Sequence, residues 1–183
     1  MLLIVSIVLG LATAPLLGGR LRRLAELRFR LSWLLATSLI VQILVLTVFP
    51  GPKTWWRLSA FLGSYGLAAA FLVANRALAG FRLLALGAAM NLLVIGANGG
   101  VMPASAAATT RAGIGPGSGE TFANSLVIEH PRLAFLGDVL AVPQGWPLAN
   151  VFSPGDILLA IGAFVAVHGA AGSRLARRRG TKE

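Results

Sequence analysis

Cysteine is absent from the 183 residues. That excludes disulfides, thiolate nucleophiles and cysteine metal sites, and it leaves the compartment open, because a membrane protein needs no disulfide. Charge is scarce too. Only 12% of residues are Asp, Glu, Lys or Arg, against about 25% in soluble domains. Acids are the rarer sign, six against 16 cations, for a net charge of +10. The cations flank apolar runs and form no soluble basic face, so nucleic acid is not the expected partner. They read as topology determinants and as contacts to anionic lipid headgroups. A positive n-region is missing from Met1 to Gly19; a cleavable signal peptide normally has one, so a retained first helix is expected.

What is present is hydrocarbon. The chain is 56% hydrophobic, with a mean hydropathy of +0.79. A bilayer core needs about 20 apolar residues in helix, with a range near 17–25. Five runs approach that length: 2–17, 31–49, 58–74, 83–97 and 156–171. The expected fold class is an all-α integral membrane protein, one domain of five transmembrane helices with a long extracytoplasmic segment, 98–153, before the last helix. Several runs are slightly short, so flanking residues or local thinning must cover the difference.

Charge orders the topology. The first connection carries Arg20, Arg22, Arg23, Arg28 and Arg30, the third Arg76 and Arg82, and the tail Arg174, Arg177, Arg178, Arg179 and Lys182. These are 12 of the 16 cations. The positive-inside rule makes their side cytoplasmic, with the N-terminus outside and the C-terminus inside a bacterial cytoplasmic membrane. Pro50-Gly-Pro52 is expected to stop the second helix. Trp55, Trp56 and Trp146 suit the outer headgroup zone. Gly63 and Gly66, with Gly87, are candidates for close helix contact. Gln42 and Asn91 are polar residues inside spans and are expected to face other helices.

The outer segment is long enough to hold a site or hidden secondary structure. Its glycine-rich stretch, Gly113 to Gly119, lacks the Lys-Ser/Thr ending of a phosphate-binding loop. Its apolar parts, 122–128 and 133–142, fit short helices or strands equally well. Glu129-His130 is the one acid–histidine neighbour pair. A transition metal there would need further ligands, such as Asp138 and Asp156, and no metal-motif spacing supports one. No metal or cofactor is expected. His168, deep in the fifth run, reads as a packing or hydrogen-bonding group.

Asp156 reads two ways. In Ser153-Pro-Gly-Asp156 the serine can cap a helix, the proline suits N1, and the aspartate at N3 can close a capping box. The second reading adds Asp138, 18 residues upstream. Two nearby carboxylates can share one proton. One then activates water while the other donates to a leaving amine. Asp138 and Asp156 are the candidate catalytic pair, and Asn91, Asn98, Ser153 and His130 are candidates for orienting the site.

Two resemblances rest on quoted residues. Asn98-Gly99-Gly100 with Met102-Pro103, and Leu136-Gly137-Asp138 with Phe152-Ser153-Pro154-Gly155-Asp156, make nearly the whole chain similar to a bacterial family of small multi-pass membrane proteins of unassigned function. The last third also distantly resembles lipoprotein signal peptidase, an intramembrane aspartic peptidase. That family typically carries Phe-Asn-X-Ala-Asp before its last span and a catalytic aspartate slightly less than twenty residues earlier. Phe152 matches the Phe, Ser153 replaces the Asn, Gly155 replaces the Ala, and Asp156 matches the motif aspartate, with Asp138 as the earlier one. Gly162 resembles a small residue farther along that span. The peptidase family usually has four spans and an Asn-X-X-Asp-Arg signature that Asn91-Leu-Leu-Val-Ile does not reproduce. The likeness implies an aspartate-dependent membrane peptidase or related hydrolase acting on a membrane peptide or lipopeptide. The alternative is a nonenzymatic membrane binding or scaffold protein.

Overall fold

The computed structural model describes residues 1–49, 54–114 and 125–176. The Pro50-Gly-Pro52 stop, most of the glycine-rich stretch and the cations of 177–182 lie outside these residues. The protein is mostly helical. Its long elements are α1 (Leu2–Leu16), α2 (Ser32–Ile43), α3 (Trp55–Ala74) and α4 (Phe81–Ala97). A wider π-turn, Leu44–Val48, extends α2. The outer segment adds β1 (Met102–Ala104), α5 (Ala106–Ala112), β2 (Ser125–Val127), β3 (Leu140–Val142) and β4 (Asn150–Phe152) before α6 (Pro154–Ala171). Two helices, Trp55–Ala74 and Pro154–Ala171, are long and apolar enough to cross a membrane; Leu2–Leu16, Ser32–Val48 and Phe81–Ala97 are apolar but shorter.

The expectation of purely α structure is corrected by the outer segment. Its apolar parts, 122–128 and 133–142, are too short for long helices, and the backbone groups of Ser125–Val127 and Leu140–Val142 pair as strands. β1 and β2 run parallel, and β3 and β4 antiparallel with Leu140 opposite Phe152 and Val142 opposite Asn150. Helix starts also differ from the hydropathy edges. α3 begins at Trp55 and α4 at Phe81, because Arg57 and Arg82 join their helices without belonging to the apolar runs.

Polar side chains share the interior with an apolar core that includes Phe61, Val94 and Ile95. Ser38 and His168 are fully buried and Asn91 nearly so, whereas Ile40 is 56% and Leu93 57% exposed. The buried hydroxyls close on nearby carbonyls. Ser6 donates to Leu3 O at 2.8 Å, Ser64 to Phe61 O at 2.6 Å, and Ser38 to Ser64 O at 2.7 Å, tying α2 to α3. His168 joins α6 to α1: Thr13 Oγ1 lies 3.0 Å from Nε2 and Ser173 Oγ 2.7 Å from Nδ1. The Thr13 hydroxyl spends its proton on Leu9 O. It therefore accepts from Nε2–H, and Ser173 Oγ partners Nδ1, so both ring nitrogens are satisfied.

Small residues set the helix contacts. On α1, Ser6, Gly10 and Ala14 are buried at four-residue spacing; a Cβ on Gly10 would come within 3.0 Å of Val167. α4 and α6 pack antiparallel on glycines. A Cβ on Gly87 would meet Gly155 O at 2.6 Å, and one on Gly162 would meet Leu84 N at 2.8 Å. The proposed contact role of Gly63 and Gly66 is corrected: nothing lies within 4 Å of where their Cβ atoms would be.

The arginine-bearing connections gather at one end of the bundle. Arg20 N donates to Ala171 O, Arg174 N to Leu17 O, and Arg30 N to Asn75 Oδ1. Phe29, Phe71 and Phe81 stack beneath them with ring centroids 5.8–6.0 Å apart.

Candidate functional site

Ser153 begins the construction. Its backbone is extended, Pro154 supplies the fixed φ of the first helical residue, and the serine hydroxyl accepts from Asp156 N at 3.0 Å. The Asp156 carboxylate returns the bond, Oδ2 accepting from Ser153 N at 3.0 Å. This reciprocal cap satisfies two otherwise unpaired amides; a serine cap contributes about 1 kcal/mol. Asn91, from α4, completes the set. Its amide donates to Asp156 Oδ1 at 2.9 Å, and its Oδ1 accepts from Ser153 Oγ at 3.0 Å. Gly155 permits this approach, because a Cβ there would occupy the space of the Asn91 carboxamide.

Asp138 reaches the same region through strand register. Leu140 opposite Phe152 extrapolates to Asp138 level with Pro154, the first residue of α6. The backbone is pinned independently: Asp138 N donates to Pro103 O at 2.9 Å, and Ser105 N donates to Asp138 O at 3.0 Å. The side chain is 7% exposed, and its Oδ2 accepts from Ser125 Oγ at 2.7 Å. Burial pushes the Asp138 carboxyl above the usual carboxylate range; Ser125 opposes this, and the charge of Asp156 adds to it.

Both aspartates line one cavity of about 1190 Å³ with Tyr65, Asn91 and Gln42; the remaining wall is largely aliphatic. The cavity runs between the helices from this acidic end to Leu24, Leu27 and Phe29 beneath the arginines. Its size exceeds the usual ligand-pocket range of roughly 300–1,000 Å³. Tyr65 is the addition that sequence reasoning missed. It packs edge-on to Phe61, with centroids 5.2 Å apart, and its hydroxyl lies in the field of both carboxylates. Its available signal was its being the chain's one tyrosine, set within an apolar helix.

Asp156, Asn91 and Ser153 thus form one hydrogen-bonded set, and Asp138 lines the same cavity as Asp156 and Asn91. Asn98 does not join them. It clamps the outer segment, accepting from Arg132 N at 2.8 Å and donating to Arg132 O at 2.8 Å. His130 is exposed and lies off the cavity wall. Among the described residues no three of His, Asp and Glu cluster as metal ligands.

The chain belongs to a family of unknown function, DUF5317, whose model matches residues 26–168. It is similar to an uncharacterized protein of Thermotoga maritima, 25% identical over 150 residues that cover 82% of this chain and 81% of the relative. No solved structure matches.

Proposed function

We propose that this protein is a five-span membrane hydrolase whose Asp138–Asp156 pair cleaves an amide at the outer interface of a bacterial cytoplasmic membrane. The membrane setting draws support from the exposed aliphatic surface: Ile40, Ile43 and Leu93 face outward while Ser38, Asn91 and His168 are buried. Water would penalise such a surface and lipid accepts it. The shorter helices are consistent with a thinned bilayer. Fifteen residues of α1 span about 22 Å, and a 17-residue helix about 26 Å, against a core of about 30 Å. Antiparallel α4 and α6, with the arginines at one end, favour an outer N-terminus and a cytoplasmic C-terminus.

The single observation carrying the hydrolase reading is that two acids from separate elements line one largely apolar cavity together with Tyr65 and Asn91. In the proposed step, one ionised carboxylate takes a proton from water as the oxygen adds to the scissile carbonyl carbon. The protonated partner gives its proton to the amine as the C–N bond breaks, and the two carboxyls exchange states. Asn91 positions Asp156. A membrane-associated peptide or lipopeptide is the substrate class.

Turnover of a peptide library by protein reconstituted in lipid tests this. General acid–base groups contribute about 10²–10⁴-fold, so Asp138→Asn and Asp156→Asn are each expected to lose activity on that scale while remaining folded. Undiminished turnover in both variants contradicts the mechanism. A second reading, nonenzymatic binding or scaffolding, is favoured by one observation: each aspartate has its own partners, Ser125 for Asp138 and the Ser153–Asn91 cap for Asp156. It predicts no turnover of the library by wild type.

A further inference from the structure

The end of the cavity away from the aspartates has a different chemistry. The short 3₁₀ segment Leu21–Glu26 and the residues after it alternate between two surroundings. Leu24, Leu27 and Phe29 line the cavity, whereas Arg22, Arg23, Arg28 and Arg30 are exposed. Arg20, Arg76, Arg82 and Arg174 are exposed at the same end. Eight exposed arginines therefore lie in the connections at this end, those of 22–30 interleaved with cavity-lining residues, and among the described residues Glu26 is the one acid in those connections. Cations that served topology alone would need no apolar channel beneath them. Here residues 21–30 contribute both to the cationic end, through Arg22, Arg23, Arg28 and Arg30, and to the cavity wall, through Leu24, Leu27 and Phe29.

We infer that the inner half of the cavity is a binding site for one anionic phospholipid of the cytoplasmic leaflet. Its phosphate sits among Arg22, Arg28 and Arg30, and an acyl chain lies along Leu24, Leu27, Phe29 and Ala68. Charge complementarity selects the headgroup: guanidinium forks match phosphate oxygens, and a rim this short of carboxylates offers little to a zwitterionic ammonium. The cavity selects the tail, because a largely aliphatic channel is filled by hydrocarbon in preference to water. The opposite end, with Asp138 and Asp156, would repel the same headgroup, so the lipid has one orientation. This inference shares the membrane setting with the proposed function but requires no hydrolysis.

Native mass spectrometry of the full chain, released from vesicles of phosphatidylglycerol and phosphatidylcholine with identical acyl chains, tests it. Phosphatidylglycerol is expected to stay bound and phosphatidylcholine to leave, with free glycerol phosphate unable to compete. Arg28→Gln combined with Arg30→Gln is expected to weaken retention about tenfold or more. Ala68→Phe, which fills the channel and leaves the rim intact, is expected to release the lipid as well. Equal retention of the two lipids overturns the proposal, as does unchanged binding in the arginine double variant. Full retention by Ala68→Phe, or displacement by glycerol phosphate, overturns the buried chain. Fractionation of each variant separates the two ideas. Absent discrimination by the inserted wild type contradicts the lipid site alone, whereas recovery of the wild type without detergent in the aqueous phase contradicts the membrane setting too.

Discussion

Asp138 carries a measurable cost for its position. Its carboxyl is driven above the ordinary range chiefly by burial. A carboxyl whose folded pKa exceeds its unfolded one favours the folded state below the unfolded value, near pH 4, and that contribution is lost as pH rises through the folded value. Asp138→Asn keeps an acceptor for Ser125 and removes the charge. Thermal unfolding should therefore find the variant more stable than wild type at neutral pH, with the difference shrinking toward about pH 3. A constant difference across that range would contradict a buried, titrating Asp138. The two aspartates were unequally legible. The helix cap at Asp156 is written in four adjacent residues, because capping is local. The approach of Asp138 depends on the register of two three-residue strands, which carry too little pattern to be read from hydropathy. Tyr65 escaped because nothing in its neighbours marks it as polar. Asn98 was placed near the site by its position at a helix exit, but its carboxamide is spent on Arg132.

Helix contacts are decided by which glycines meet backbone. Gly162 and Gly87 let α6 and α4 approach at distances no side chain allows, while Gly63 and Gly66 meet nothing within 4 Å. The consequence is opposite signs for similar substitutions. Gly63→Ala should stabilise by about 0.5–1 kcal/mol, the ordinary gain of alanine over glycine inside a helix. Gly162→Leu should prevent α4 and α6 from docking, and circular dichroism with thermal melting in detergent distinguishes the two. Equal tolerance of both would contradict the glycine seam. Helix existence was readable from apolar length. Which glycines touch was not, because that depends on a partner helix some seventy residues away in the chain, as with Gly87 and Gly155. The strands were left open by composition and resolve only once β1 is set beside β2 and β3 beside β4.

At the scale of the molecule, one asymmetry organises the account: carboxylates at one end of an apolar cavity, guanidiniums at the other, and aliphatic side chains turned outward between them. Composition and charge order were enough to expect a membrane protein with its arginines on one side, since both are sums over the whole chain. The cavity itself was not foreseeable, because it is the space that five packed helices and the outer segment leave among themselves. The absence of cysteine makes the whole arrangement open to single-thiol mapping. In intact cells an impermeant maleimide should modify Glu129→Cys, reach Ala25→Cys only after the membrane is opened, and leave the outward-facing Leu93→Cys and Ile40→Cys unreacted while lipid is present. Ready aqueous labelling of Leu93→Cys and Ile40→Cys in the folded, undisrupted protein would contradict the claim that lipid covers these helices, and the outer-interface site would fall with it.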